Sequence, residues 1–180
     1  MVQGFAPDSV GALPAAGDVT LDDRGAWAVL DTVPDPEIPS VSLVDLGVIR
    51  GVEMHDDQVR VRMTPTYTGC PATDLMQVLV RDRLLDAGFP AVEIDLQLSP
   101  AWSSDEITEQ GHRRLAAAGI APPAFRTADK RHLAGDAPVV ACPRCGSADT
   151  VMTSAFGATA CKALYRCNAC DEPFDYFKCI

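Results

Sequence analysis

Two Cys-x-x-Cys pairs, Cys142-Pro-Arg-Cys145 and Cys167-Asn-Ala-Cys170, with 21 residues between them, constrain this chain more than any other feature. A tight turn inside each pair puts both sulfurs on one side, and two such knuckles complete a tetrahedral four-sulfur set around one ion. The spacing lies one residue beyond the usual window for such sites. Gly146 follows the first knuckle and suits its turn, and Asp171 takes the equivalent place after the second. Between them, Val151–Phe156 and Lys162–Arg166 can pair as ribbon strands. So short a segment buries little apolar surface. Metal binding must therefore supply most of its folding free energy, on the order of 10 kcal/mol.

Six of the seven cysteines fall in the last 39 residues. Their pairing fits metal better than disulfides and places the protein in a reducing cytoplasm. Structural zinc, one ion per chain, is the expected occupant of Cys142, Cys145, Cys167 and Cys170. Cys161 and Cys179 are left over. Either can substitute as a ligand, or both can help hold an iron–sulfur cluster, which also takes four thiolates. The four-sulfur pattern alone does not separate tetrahedral zinc from iron. With zinc in the ribbon, Cys161 and Cys179 become buried or spare thiols.

The second constraint is the stretch Met63-Thr-Pro-Thr-Tyr-Thr-Gly-Cys-Pro-Ala-Thr-Asp74. An alternating run, Val59–Met63, leads into it, and a helical pattern through Leu75, Met76, Val78, Leu79, Val80 and Leu84 leads out. Pro71 suits a first helical position, which predicts Cys70 as the N-cap. A thiol held there meets unpaired amides and the positive end of the helix dipole, both of which favour the thiolate. The competing reading makes Cys70 a small buried hydrophobe, as many free cysteines are.

The remaining elements follow in order. Residues 1–19 are rich in Ala, Pro and Gly and are expected to form a poorly ordered tail. Thr20 is expected to cap a helix from Leu21. Three prolines in Val33–Pro39 then end that helix and hold Asp35 and Glu37 in a rigid loop. Val48–Met54, the turn His55–Asp57 and Gln58–Met63 read as a hairpin. The helix after Cys70 runs to about Asp86 and stops at Gly88. Ala91–Leu98 alternates as a third strand, and Ser103 or Ser104 caps a last helix through Ala118. The predicted class is α+β: a small three-to-four-stranded sheet packed by helices over residues 20–120, a linker at 121–138, and a zinc-ribbon-like subdomain at 139–180.

Charge narrows the function. The formal charge is −10, and the excess lies in residues 1–137, with 11 basic side chains against 21 acidic; residues 138–180 carry four of each. That excludes non-specific nucleic-acid binding and attraction to anionic membranes. No apolar run approaches membrane-spanning length, and the first twenty residues lack the regions of a signal peptide. There is no Gly-rich phosphate loop and no Ser-His-Asp pattern. His55, His112 and His132 fall in a turn, a helix and the linker and are expected at the surface.

Asp35-Pro-Glu-Ile-Pro39, Ser42-Leu-Val-Asp-Leu-Gly47 and Met63 to Pro71 resemble the small α+β domain of bacterial SufT and the eukaryotic cytosolic iron–sulfur targeting factors. The tail resembles the zinc-ribbon-like extension of that family's phenylacetate-degradation branch. The motifs there are Cys142-Pro-Arg-Cys-Gly-Ser, Phe156 to Cys170, and Glu172-Pro-Phe-Asp-Tyr-Phe-Lys-Cys179. Together the two resemblances cover about residues 20–180.

The resemblance implies a role beside the multicomponent phenylacetyl-CoA epoxidase, an oxygenase whose reductase component carries an iron–sulfur cluster. Implied partners are the oxygenase components, that reductase above all, and the iron–sulfur assembly machinery. The implied task is cluster assembly or maturation. The family's candidate active site falls here on Asp35, Glu37, Thr64, Thr66 and Cys70, with Cys70 a transient ligand for iron or a cluster. Two other readings compete. One is a thiol-dependent enzyme with Cys70 as nucleophile and Asp35 or Glu37 as base, but no histidine and no resolving cysteine stands beside it. The other is a structural subunit of the oxygenase.

Overall fold

The computed structural model describes residues 10–12, 14, 19–124 and 139–179. The expected tail and linker therefore lie largely outside the described residues. The chain divides into two compact units, one ending at Trp102 and the other beginning at Ser103.

The first unit holds α1 (Asp23–Leu30), β1 (Ile49–His55), β2 (Gln58–Met63), α2 (Thr73–Asp86) and β3 (Ala91–Leu96). β2 is the central strand, antiparallel to β1 and parallel to β3. The hairpin is the one that the alternation predicts, closed by the two-residue turn Asp56–Asp57 with Asp56 at φ 52°. Asp tolerates that left-handed conformation better than most residues do. A parallel β2–β3 pair needs a crossing connection, and α2 provides it. Val29 and Leu30 of α1 and Met76, Val80 and Leu84 of α2 are buried, as are Val59, Val61 and Met63 of β2. Arg60–Glu93 and Arg62–Glu53 ion pairs, both 3.0 Å, link β2 to its two neighbours.

α1 begins later than its sequence suggests. Asp22 is the cap: its Oδ1 accepts the Gly25 N–H at 2.7 Å, while the Thr20 hydroxyl donates to the same oxygen at 2.8 Å. A carboxylate offers the helix a charged acceptor where Thr20 offers only a hydroxyl, so Thr20 serves the cap instead of forming it.

The second unit contains a 3-10 turn at Ser104–Glu106, α3 (Glu109–Ala117), β4 (Ile120–Ala121), β5 (Thr150–Ser154), β6 (Lys162–Cys167) and β7 (Pro173–Phe177). Its sheet runs β4-β7-β6-β5, antiparallel except for the parallel β4–β7 pair. Ala163, Tyr165, Phe174 and Tyr176 form its core with Ala121, Val140, Cys142 and Cys167. The single helix expected up to Ala118 is two pieces. Ser103 caps only the 3-10 turn, and Thr108 caps α3 by accepting the Gly111 N–H at 2.9 Å. The expected first domain extended to residue 120, whereas α3 and β4 group with the second unit because β4 hydrogen-bonds to β7. A two-residue strand just past a glycine carries no periodicity that could reveal it.

Candidate metal centre and the Cys70 turn

The two knuckles repeat one backbone design. Gly146 at φ 75° and Asp171 at φ 59° stand in the same left-handed conformation after their second cysteines. Cys142 N–H donates to Ser147 C=O and Cys167 N–H donates to Glu172 C=O, both at 2.9 Å, so each knuckle closes five residues on. Asn168 ties the knuckles together: its N–H donates to Asp149 C=O at 2.9 Å and its side-chain amide to Asp149 Oδ1 at 2.8 Å. The first cysteine of each pair is buried against the ribbon core and the second is exposed.

This geometry brings Cys142, Cys145, Cys167 and Cys170 together, with all four sulfurs within 4.8 Å of one another. Cys142 Sγ lies 3.8 Å from Cys170 Sγ, and Cys145 Sγ lies 3.6 Å from Cys167 Sγ. Metal–sulfur bonds of about 2.3 Å in a tetrahedron require sulfurs about 3.8 Å apart. The donor set therefore fits a single tetrahedral ion. Cys161 and Cys179 lie outside the four: the Cys161 sulfur is 3.0 Å from the Thr159 hydroxyl, and that of Cys179 is 3.2 Å from the Tyr176 hydroxyl.

The electrostatics of the four sulfurs call for a cation. Burial would push the Cys167 thiol up, but the amides of Cys170 and Ala169, with the sulfurs of Cys145 and Cys170, bring it down to about 7. Cys170 moves the other way. The Glu172 amide pulls it down, yet desolvation and its three sulfur neighbours push it up to about 12. Once one thiol has ionised, its neighbours resist a second like charge at contact distance. A bound dication removes that resistance and lets all four coordinate as thiolates.

The Cys70 turn differs from its expected form. α2 starts at Thr73, its N-cap is Ala72, and no side chain caps it. Cys70 is three residues short of the helix, in a half-buried turn where its N–H donates to Tyr67 C=O at 3.0 Å. Its carbonyl, not its thiol, receives the bonds from the helix start: Thr73 donates from its N–H at 3.2 Å and from its hydroxyl at 2.9 Å. Pro71 and Ala72 are spent in that turn, so the N-cap argument for the thiolate does not apply here.

The other expected site residues are placed as follows. Asp35 and Glu37 share one tight loop in which Asp35 Oδ1 accepts the N–H groups of Glu37 (2.9 Å) and Ile38 (2.8 Å). Asp35, Thr64 and Thr66 are buried, Glu37 is half-buried, and the threonines flank Pro65 just beyond β2. Sequence reasoning assigns no role to Ser42 and Asp45, which are also buried. Ser42 Oγ accepts the Asp45 N–H at 3.0 Å and donates to Asp31 Oδ1 at 3.1 Å. The Ser-x-x-Asp spacing was the available signal, since a serine three residues ahead commonly caps the turn that follows. His112 is half-buried and not exposed, and burial lowers its pKa. Among the described residues no helix is long and apolar enough to cross a membrane.

The family model of the iron–sulfur cluster assembly protein matches residues 24–101, and that of the PaaD zinc beta ribbon domain matches residues 126–178. A putative subunit of the 1,2-phenylacetyl-CoA epoxidase of Escherichia coli K12 is 48% identical over 154 residues, covering 86% of this chain and 91% of that protein. The chain belongs to the PaaD family. In this PaaD-family chain the two matched models fall one in each of the two units described above. An Fe-S protein maturation auxiliary factor of Porphyromonas gingivalis W83 is 42% identical over 89 residues, covering 48% of this chain and 84% of that protein. A crystal structure of a domain of unknown function from Bacillus anthracis aligns with a TM-score of 0.48 at 25% identity, covering 52% of this chain and 90% of that one.

Proposed function

We propose that this PaaD-family chain is a non-enzymatic accessory protein for iron–sulfur cluster assembly or maturation in the phenylacetyl-CoA epoxidase system, with the iron–sulfur reductase component as client. The observation that carries the reading is the joining of a cluster-assembly unit to a PaaD ribbon in one chain. The name of the Escherichia coli relative supports the epoxidase system, and that of the Porphyromonas gingivalis relative supports the task. The ribbon holds one structural zinc ion. Four sulfurs at single-ion spacing support this, because a cluster spreads its thiolates over several irons. Cys70 is the cluster-handling thiol. Its half-buried position on a turn leaves it within reach of a client, with Asp35, Glu37, Thr64 and Thr66 as its proposed companions in the task.

The test is reconstitution of the reductase in the presence of the wild-type chain or Cys70→Ser, with iron and acid-labile sulfide measured on the reductase. The variant should lower cluster loading several-fold while keeping its own melting temperature and zinc content. Undiminished loading would remove Cys70 from the task. The name of the Escherichia coli relative, which makes it part of the epoxidase, favours a second reading, a structural component of the oxygenase. That reading predicts copurification at fixed stoichiometry and no effect of Cys70→Ser. Protein purified without oxygen should contain one zinc per chain, no sulfide and no visible absorption. Iron with sulfide and a brown chromophore would overturn the zinc assignment.

A further inference from the structure

α3 and the first metal knuckle border an open surface cavity of about 580 Å³. One wall is a single face of α3, formed by Gln110, Arg113, Arg114 and Ala117, which recur at helical spacing. The other wall is Pro143 and Arg144, the two residues between Cys142 and Cys145. Three arginines therefore line one cavity. Among the described residues no carboxylate lines it, in a chain whose acidic side chains outnumber its basic ones 25 to 15. We propose that this cavity binds a phosphate-bearing small molecule of nucleotide size.

The chemistry of the lining selects that class. A guanidinium is permanently charged and offers parallel N–H donors that match two phosphate oxygens, and several around one cavity recognise a dianion. Gln110 adds an amide donor. Ala117 and Pro143 leave an apolar floor for the part of the ligand that carries no charge, and the volume lies in the range of small-molecule sites. Two of the arginines already meet carboxylates outside the cavity: Arg113 lies 3.8 Å from Glu109, and Arg144 pairs with Glu172. The Arg113 and Arg144 side chains are 65% and 67% exposed, so these are surface pairs that contribute little and exchange readily for a dianion. The four-thiolate centre is itself anionic. Arg113 and Arg114 supply the positive field from the α3 side, and Arg144 adds a third donor fork.

Arg144 stands between Cys142 and Cys145, so metal binding would hold the backbone of the cavity's far wall. Ligand binding should therefore depend on metal loading, and by linkage the ligand should tighten metal retention to the same degree. The inference does not depend on the cluster-assembly reading, since it concerns a different surface and a different ligand.

The experiment is a titration of the zinc-loaded full chain with ADP, coenzyme A, inorganic phosphate and adenosine, following backbone amide resonances. ADP or coenzyme A should shift the amides of residues 110–117 and 143–146 with a submillimolar dissociation constant, phosphate should bind more weakly, and adenosine should not bind. Tighter binding of coenzyme A than of ADP would identify a coenzyme A thioester as the source of the phosphate; equal binding would point to free nucleotides. Arg113→Ala removes an exposed side chain that is not a metal ligand and should weaken binding about tenfold or more with zinc content unchanged. Arg144→Lys keeps the charge, loses the fork and should weaken it several-fold. Absence of shifts in these amides up to about 10 mM ADP and coenzyme A, or full affinity in Arg113→Ala, would overturn the proposal.

Discussion

Gly146 and Asp171 share a backbone conformation that L-residues disfavour, yet only one of them is glycine. Their equivalence was legible in the sequence because each follows its knuckle by one residue, and the knuckle geometry is local. Gly146→Ala places a Cβ in the left-handed region at a cost of about 1–2 kcal/mol. Zinc retention against a chelator should fall roughly tenfold, while the paired change Asp171→Gly should have much less effect. That second change removes strain but also the 2.6 Å contact between Asp171 and Arg166. Cys70 was less legible. The fit of Pro71 to a first helical position is a local signal, and the bonds from Thr73 to the Cys70 carbonyl move the helix start three residues on.

At the scale of elements, the hairpin, α2 and the ribbon strands could be read because each has a period longer than its ambiguity. β4 could not, since pairing with β7 is a property of the folded chain and not of residues 120 and 121. The metal knuckles also set a pH dependence. In the metal-free ribbon the Cys167 thiol ionises near 7, below the ordinary thiol range. A depressed thiol is protonated below that value and already ionised above it. Zinc uptake should thus release about one more proton per chain at pH 6 than at pH 8, and zinc affinity should fall as pH falls through 7. Calorimetry in buffers of different ionisation enthalpy measures both. Equal proton release at the two pH values would place the first ionisation elsewhere.

For the whole molecule, the two units draw stability from different sources. The first buries an apolar core between helices and sheet, whereas the second has a small core that buries only two of the four clustered cysteines. Chelation should therefore unfold the second unit and leave the first folded. Amide exchange should show protection lost in β5, β6 and β7 and kept in β1, β2 and β3. Loss of protection in both sheets would mean that the chain folds as one cooperative body.

The parallel pairing of Ile120–Ala121 with β7 has a counterpart in how the protein comes apart. Those two residues precede the stretch 125–138, and the strand that they pair with follows it. The Ala124 N–H donates to the Tyr176 hydroxyl across the same seam, at 3.3 Å. A protease that nicks the chain between residues 125 and 138 should not release the ribbon. The two pieces should migrate separately on a denaturing gel and elute together from a sizing column, a split protein held shut by its own sheet.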